Sequence, residues 1–353
     1  MEFHDLARWI PSVERTLRAS YRKERRAAAP VFRTHLDLLE EFALRGGKRF
    51  RALMVLAGYH LATGRSPEAA LPAAAGLEHF QSWMLIHDDI IDHSEMRRGG
   101  PTLHRTLERA HRAERRLGDA ASAGIGLGIT LGDLEEPFTL EGLSASPVPA
   151  PRRLSAIDEY VRMTRLTAFG QVLDILNGAR PVPEVSEADV LLVHRLKSAV
   201  YTVASPLRIG ATLGGAGKGV LEELDRFGLD TGVAFQLRDD VLGTGFDAGA
   251  SGKSANDLVE GKRTLLVVNA YQNSGEADRA ALLDVLGNPS ATSEQVERAR
   301  SVIERSGSRA HSEDRIRTLS GRAFRRVRAS RRFSASGKGL LLEIGDRLVQ
   351  RSS

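Results

Sequence analysis

The run His87-Asp88-Asp89-Ile90-Ile91-Asp92 is followed within ten residues by Arg97-Arg98-Gly99-Gly100-Pro101-Thr102, so carboxylates at i, i+1 and i+4 precede an arginine pair. If the chain from about Leu77 is helical, Asp88 and Asp92 share a face one turn apart, with Asp89 about 100° round. Like charges at this spacing repel by a few tenths of a kcal/mol, so a solvated helix gains nothing from them. A divalent cation reverses that sign. Mg2+ takes one or two protein carboxylates and fills its shell with water and substrate phosphate oxygens. The plainer alternative for an isolated DDxxD is a polar helix end running into a loop.

A second acid falls in a telling place. The segment Val220 to Leu242 carries an apolar stripe at Leu221, Leu224, Gly228, Gly232, Phe235 and Leu242, and Asp239 lies on it. An inward acid is costly unless paired or metal-bound. Cations accompany both acidic segments: Gly46-Gly47-Lys48-Arg49-Phe50-Arg51, Arg97-Arg98, Lys197, and Lys253, Lys262 and Arg263 after Asp239-Asp240. Two acidic walls with several cations meet the requirement for holding two anionic phosphate groups. Lys and Arg bind phosphate directly, and metal ions neutralise the oxygens that face carboxylates.

Helices must position these groups. Ala, Leu, Arg and Glu dominate between turn signals, and no period-2 segment is long enough for a sheet. The expected helices include Lys48 to Thr63, Pro72 to Ile91, His104 to Leu117, Asp119 to Leu134, Leu154 to Asn177, Glu187 to Leu213 with a kink at Pro206, and Val220 to Leu242. Gly124, Gly126, Gly128 and Gly132 sit inside one of them. Each costs roughly 1 kcal/mol relative to Ala in a helix interior, so close packing against a neighbouring helix is expected there. Ser144 to Pro151 reads as a Pro/Ser loop, but similar patterning on both sides favours one domain over residues 1–353. Its motif-bearing core runs from about 44 to 268, and 269–353 is a helical C-terminal part.

The totals exclude other classes. The 353 residues are 42% hydrophobic and 27% charged, ordinary for a globular protein. No apolar run is long enough to span a bilayer, and the first residues lack the apolar core of a signal peptide. Zero cysteines rule out disulfides, thiolate zinc sites and cysteine nucleophiles, which fits a cytoplasmic protein. A net charge of +5 raises nucleic acid, anionic lipid or a polyphosphorylated small molecule as partners. Aromatic residues at 5% leave few stacking platforms, so no nucleic-acid role is expected.

Taken together and in order, these motifs resemble those of the trans-isoprenyl diphosphate synthases of the polyprenyl synthetase family, from about Leu44 to Val268. The matching features are the GGKRxR box at Gly46 to Arg51, DDxxD at Asp88 to Asp92 with its RRGxPT, the isolated Lys197, and the second aspartate motif with its GK and DLxxGKRT tail. The resemblance implies an all-α bundle with a central cavity and a homodimer. It implies a Mg2+-dependent prenyltransferase, with three ions and Mn2+ as an alternative metal. Such an enzyme condenses isopentenyl diphosphate with an allylic diphosphate. By the same resemblance Asp88, Asp92 and Asp239 bind metal, and Arg97, Lys197 and Lys253 contact the allylic diphosphate, with Lys262 nearby. Lys48, Arg51 and Arg98 hold the isopentenyl diphosphate, and Gln81 stands where the family places His or Gln. Ionisation of the allylic C–O bond, attack by the isopentenyl double bond and proton loss to the released diphosphate need no catalytic His or Ser.

The chain departs from the pattern at Gly243, where the second motif's last acid would stand. In the family, bulky residues four and five positions before the first Asp limit product length, and here they are Met84 and Trp83. A short product follows, C20 in preference to C15. The rivals are a class I terpene cyclase, which has no second diphosphate to hold, and a non-catalytic subunit of a heteromeric prenyl synthase.

Overall fold

The computed structural model describes residues 2–244 and 256–350, so the expected diphosphate ligand Lys253 lies outside the described residues. The protein is all-α, and its only β structure among those residues is one pair of two-residue strands. Two compact units are distinguished: His4–Glu159 with Pro206–Gly217, and Tyr160–Ser205 with Lys218–Ser353 and Met1–Phe3.

The first unit contains most of α1 (Phe3–Ala7), then α2 (Ile10–Ala27), α3 (Arg33–Leu44), α4 (Phe50–Thr63) and α5 (Leu71–Ile91). It continues with β1 (Met96–Arg97), β2 (Gly100–Pro101), α6 (Leu103–Ala113), α7 (Ala120–Asp133), α8 (Glu135–Ser144), the start of α9 (Ala150–Ala179) and most of α11 (Ser205–Leu213). Helix α5 is its axis, with every residue from Ala73 to Ser82 buried. A helix apolar on all sides must be surrounded, and α2, α4, α7 and α8 pack on it. Small residues set the closest approaches. A Cβ on Gly210 would stand 1.9 Å from Val55 O, and one on Gly58 2.0 Å from Leu207 O, so α4 and α11 cross backbone to backbone. The core is tied by a buried carboxylate: Tyr21 Oη donates to Glu135 Oε1 at 2.6 Å, and His79 Nδ1 lies 2.6 Å from Glu135 Oε2. Burial raises the Tyr21 pKa, with the Glu135 charge acting in the same direction.

The second unit holds the rest of α9, α10 (Glu187–Val193), a π-helix (His194–Ala204), α12 (Lys218–Gly243), α13 (Asn256–Val259), α14 (Leu265–Gln272), α15 (Glu276–Leu283), α16 (Ser293–Arg305), α17 (Ser308–Ala329) and α18 (Ala335–Val349). Helix α12 is packed between the π-helix and α17. Gly228 and Gly232 press against Ala204 and Ala199 of the π-helix, where added Cβ atoms would stand 2.4 and 2.6 Å from their Cα atoms.

The kink expected at Pro206 is instead a change of helical ladder in the 11 residues ending at Ala204. Proline lacks the N–H that would continue an i to i−4 ladder, and the backbone N–H of Ser205 already reaches five residues back to Val200 O. The expected Ser144 to Pro151 loop shrinks to the residues between α8 and α9, because Ala150 and Pro151 begin a helix whose first turn needs no proline N–H. Of the four glycines in α7, three meet a neighbour: Gly124 at His104 O, Gly128 at Ile90 and Gly132 at His87. Gly126 faces open space.

Candidate active site

Helix α5 ends at Ile91, and Asp92 caps it with its N–H on Asp88 O at 2.8 Å. The helical turn between these two acids is therefore intact, as the spacing requires. Asp88 is partly buried, and Asp89 is fully buried. Arg97 donates through Nε to Asp89 Oδ1 at 2.8 Å and through Nη2 to the same oxygen, while Asp88 Oδ2 lies 3.9 Å from Nη2. Burial pushes the Asp89 carboxyl up to about 6, although the Arg97 bond and charge pull it down. Asp89 thus acts as the seat of Arg97, a role the spacing alone could not reveal.

Arg97 and Arg98 lie on a hairpin. Arg97 pairs with Gly100 and Met96 with Pro101, leaving Arg98-Gly99 as a two-residue loop. Arg98 has φ 51° and Gly99 φ 75°, the left-handed pair that a type I′ turn requires. Arg98 Nη1 reaches Arg45 O at 3.2 Å and Gly46 O at 3.3 Å, and a Cβ on Gly47 would stand 3.1 Å from its guanidinium. Arg98 is therefore docked on the glycine box that carries Lys48 and Arg51. Lys48 is exposed and Arg51 partly buried. Arg49, between them, is structural: it is buried, donating to Glu14 Oε1, Ala43 O and Leu44 O, with Glu78 Oε2 at 3.6 Å.

Higher on α5, Gln81 is buried. Trp83 donates to Asp133 Oδ1 at 3.3 Å and meets Phe80 and His87 edge-on, whereas Met84 is partly buried. His87 Nδ1 lies 3.1 Å from Trp83 O, and His93 is exposed.

In the second unit the inward acid of α12 is Asp240, not Asp239. Asp240 is 5% exposed, accepts from Gln236 Nε2 at 3.0 Å and lies 3.1 Å from His194 Nε2. Asp239 is half-buried. The stripe positions step unevenly round the helix, so a one-residue error in the inferred face was enough to exchange the two acids. At Gly243 an added Cβ would stand 2.1 Å from Asp257 Oδ2, so the carboxylate of Asp257 fills the space of the absent side chain. Burial pushes Asp257 up to about 6, Lys262 lowers it, and Asp240 and Glu260 raise it. Lys262 Nζ lies 3.4 Å from Asp257 Oδ1 and 2.7 Å from Glu260 Oε2. Lys197, on the π-helix, donates to Asp174 Oδ2 at 2.6 Å.

The donors suit a hard cation. Asp88 and Asp92 stand one turn apart, and Asp89 Oδ2 and, two turns earlier on α5, Gln81 Oε1 are buried without a hydrogen-bond partner among the described residues. Among the described residues no three acidic or histidine side chains form a closed metal cage.

The polyprenyl synthetase family profile matches residues 33–303. The geranylfarnesyl diphosphate synthase of Aeropyrum pernix is 34% identical over 311 residues, covering 87% of this chain and 91% of that one. The geranylgeranyl diphosphate synthase of Methanosarcina mazei is 34% identical over 266 residues, 74% of each chain. Among solved structures, geranylgeranyl pyrophosphate synthase from Corynebacterium glutamicum, complexed with isoprenyl diphosphate and magnesium, superposes with a TM-score of 0.90 at 31% identity over 100% of both chains.

Proposed function

Since the chain belongs to the polyprenyl synthetase family, we propose that it condenses isopentenyl diphosphate with an allylic diphosphate to a short-chain all-trans prenyl diphosphate, C20 geranylgeranyl diphosphate in first place. The observation that carries this reading is the joint geometry of the first unit. Asp88 and Asp92 are held on one helical turn, Arg97 is seated beside them, and Arg98 is docked on the Gly46-Gly47 box. One acid pair and two separately anchored arginines suit two diphosphates. A terpene cyclase holds only one and has no use for the second arginine.

In this reading Asp88 and Asp92, with Asp239, hold Mg2+, which supplies neutralisation of the diphosphate oxygens. Arg97, Lys197, Lys253 and Lys262 hold the allylic diphosphate and stabilise the charge that develops as it leaves. Lys48, Arg51, Arg98 and Gln81 hold the isopentenyl diphosphate so that its double bond faces the allylic carbon. Trp83 and Met84 limit the chain. The whole of 1–353 acts as one synthase domain, a reading supported by a family match that runs through both compact units. A homodimer is proposed on the exposed apolar face of α9, where Val161, Phe169, Val172 and Leu176 recur at helical spacing. No helix among the described residues is long and apolar enough to cross a membrane. A cytoplasmic location is proposed separately, on the cysteine-free composition.

The test is incubation of purified protein with Mg2+, isopentenyl diphosphate and dimethylallyl, geranyl or farnesyl diphosphate, followed by sizing of the products. A C20 product is expected. Absence of condensation under every combination would leave a non-catalytic subunit as the better reading.

A further inference from the structure

The hairpin that carries Arg97 and Arg98 is too short to hold itself. Two paired residues on each strand provide little cross-strand stabilisation, and an isolated two-stranded hairpin is marginal in water even when longer. Its turn also places Arg98, a non-glycine residue, in the left-handed region, which costs about 1 kcal/mol. Something outside the hairpin must fix it.

The side chain of Arg45, the C-cap residue that follows α3, lies across the hairpin's open edge. Its Nη1 donates to Pro101 O at 2.7 Å, on β2, and to Arg97 O at 3.3 Å, on β1. Its other edge is anchored on α3 by a two-point bond to Glu41, Nε to Oε1 at 2.8 Å and Nη2 to Oε2. The guanidinium lies against the face of Gly100, where an added Cβ would stand 2.5 Å from Nη1 and 2.7 Å from Cζ. The main-chain carbonyl of the same residue accepts from Arg98 Nη1.

We propose that Arg45 is a positioning residue for Arg98: its guanidinium clamps both strands of the hairpin to α3, and Gly100 is glycine to admit that clamp. The proposal rests on the assignment of Arg98 to the isopentenyl diphosphate. The two hairpin arginines differ in their dependence on it. Arg97 has its own seat on Asp89. Among the described residues Arg98 hydrogen-bonds only to main-chain oxygens of Arg45 and Gly46, so its position follows the backbone that Arg45 fixes. Loss of the clamp therefore acts on one substrate more than on the other.

Steady-state kinetics of Arg45→Ala, Arg45→Lys and Gly100→Ala test this, with the wild type measured first. For Arg45→Ala, KM for isopentenyl diphosphate rises about tenfold, equivalent to about 1.4 kcal/mol, while KM for the allylic diphosphate stays within about twofold. Gly100→Ala produces the same shift, because its methyl group displaces a guanidinium that is still present. Combining Gly100→Ala with Arg45→Ala adds nothing further, as expected of two changes acting on one contact. Arg45→Lys keeps the charge but not the fork, and recovers only part of the loss. Amide exchange over 96–102 is faster in Arg45→Ala than in the wild type. An unchanged KM for isopentenyl diphosphate, full recovery by Lys, equal damage to both substrates, or additivity of the two changes overturns the proposal while leaving the synthase reading in place. An inactive wild type overturns both.

Discussion

At Asp88 the spacing read from the sequence and the backbone coincide: Asp88 and Asp92 are one helical turn apart, with the Asp92 N–H on Asp88 O. If Asp88 holds the metal as proposed, Asp88→Ala lowers kcat by about a thousandfold or more, because the charge developing on the leaving diphosphate loses its stabilisation; circular dichroism should show the fold retained. Trp83→Ala should lengthen the product when chains are sized by chromatography, and an unchanged length would move the limit to Met84. Other residues were beyond the sequence. Arg45, Asp89 and Asp257 each act on a partner through folding, Asp257 by entering a space that a glycine leaves open. The exchange of Asp239 for Asp240 as the buried acid has the same origin, because adjacent residues are about 100° apart and the stripe defines its face no more finely than that.

Among the elements, long helices were legible from composition and from Gly and Pro punctuation. The hairpin and the π-helix were not: the first has only two paired residues per strand, and the second shares its composition with the α-helices around it. Glycines separate the helices that touch from those that face outward. Gly210→Ala would drive a methyl into Val55 O, a backbone atom that cannot move alone, and overpacking of this kind costs about 1–3 kcal/mol. Scanning calorimetry should show Tm lower by about 1–4 °C. Gly126→Ala, which meets nothing, should leave Tm unchanged or raise it by a degree or two, because alanine is the better helix former by about 1 kcal/mol.

For the molecule as a whole, two measurements follow. Phe169→Asp should convert a dimer into a monomer by light scattering, and a persistent dimer would remove this face of α9 from the interface. In the presence of a chelator, the contribution of Asp257 and Asp89 to stability should fall as pH rises from about 4 to about 6. Asp257 and Asp89, both pushed up to about 6, bind protons more tightly in the folded chain than in the unfolded one, so ionisation in this window favours unfolding. Asp257→Asn should remove part of the fall and leave the variant more stable by about 1–2 kcal/mol at pH 7, after allowance for partial solvent screening. Denaturant melts at several pH values would show it.

The π-helix has a consequence for how this gene can vary. A stretch in which the ladder reaches five residues back accommodates one residue more than an α-helix of the same span. Loss of one codon between His194 and Ala204 would therefore cause little shortening, yet would rotate Lys197 relative to the glycine contacts that fix α12 on the same segment. Single-residue deletions there should be soluble and catalytically impaired, while equal deletions in α16 should fail to fold.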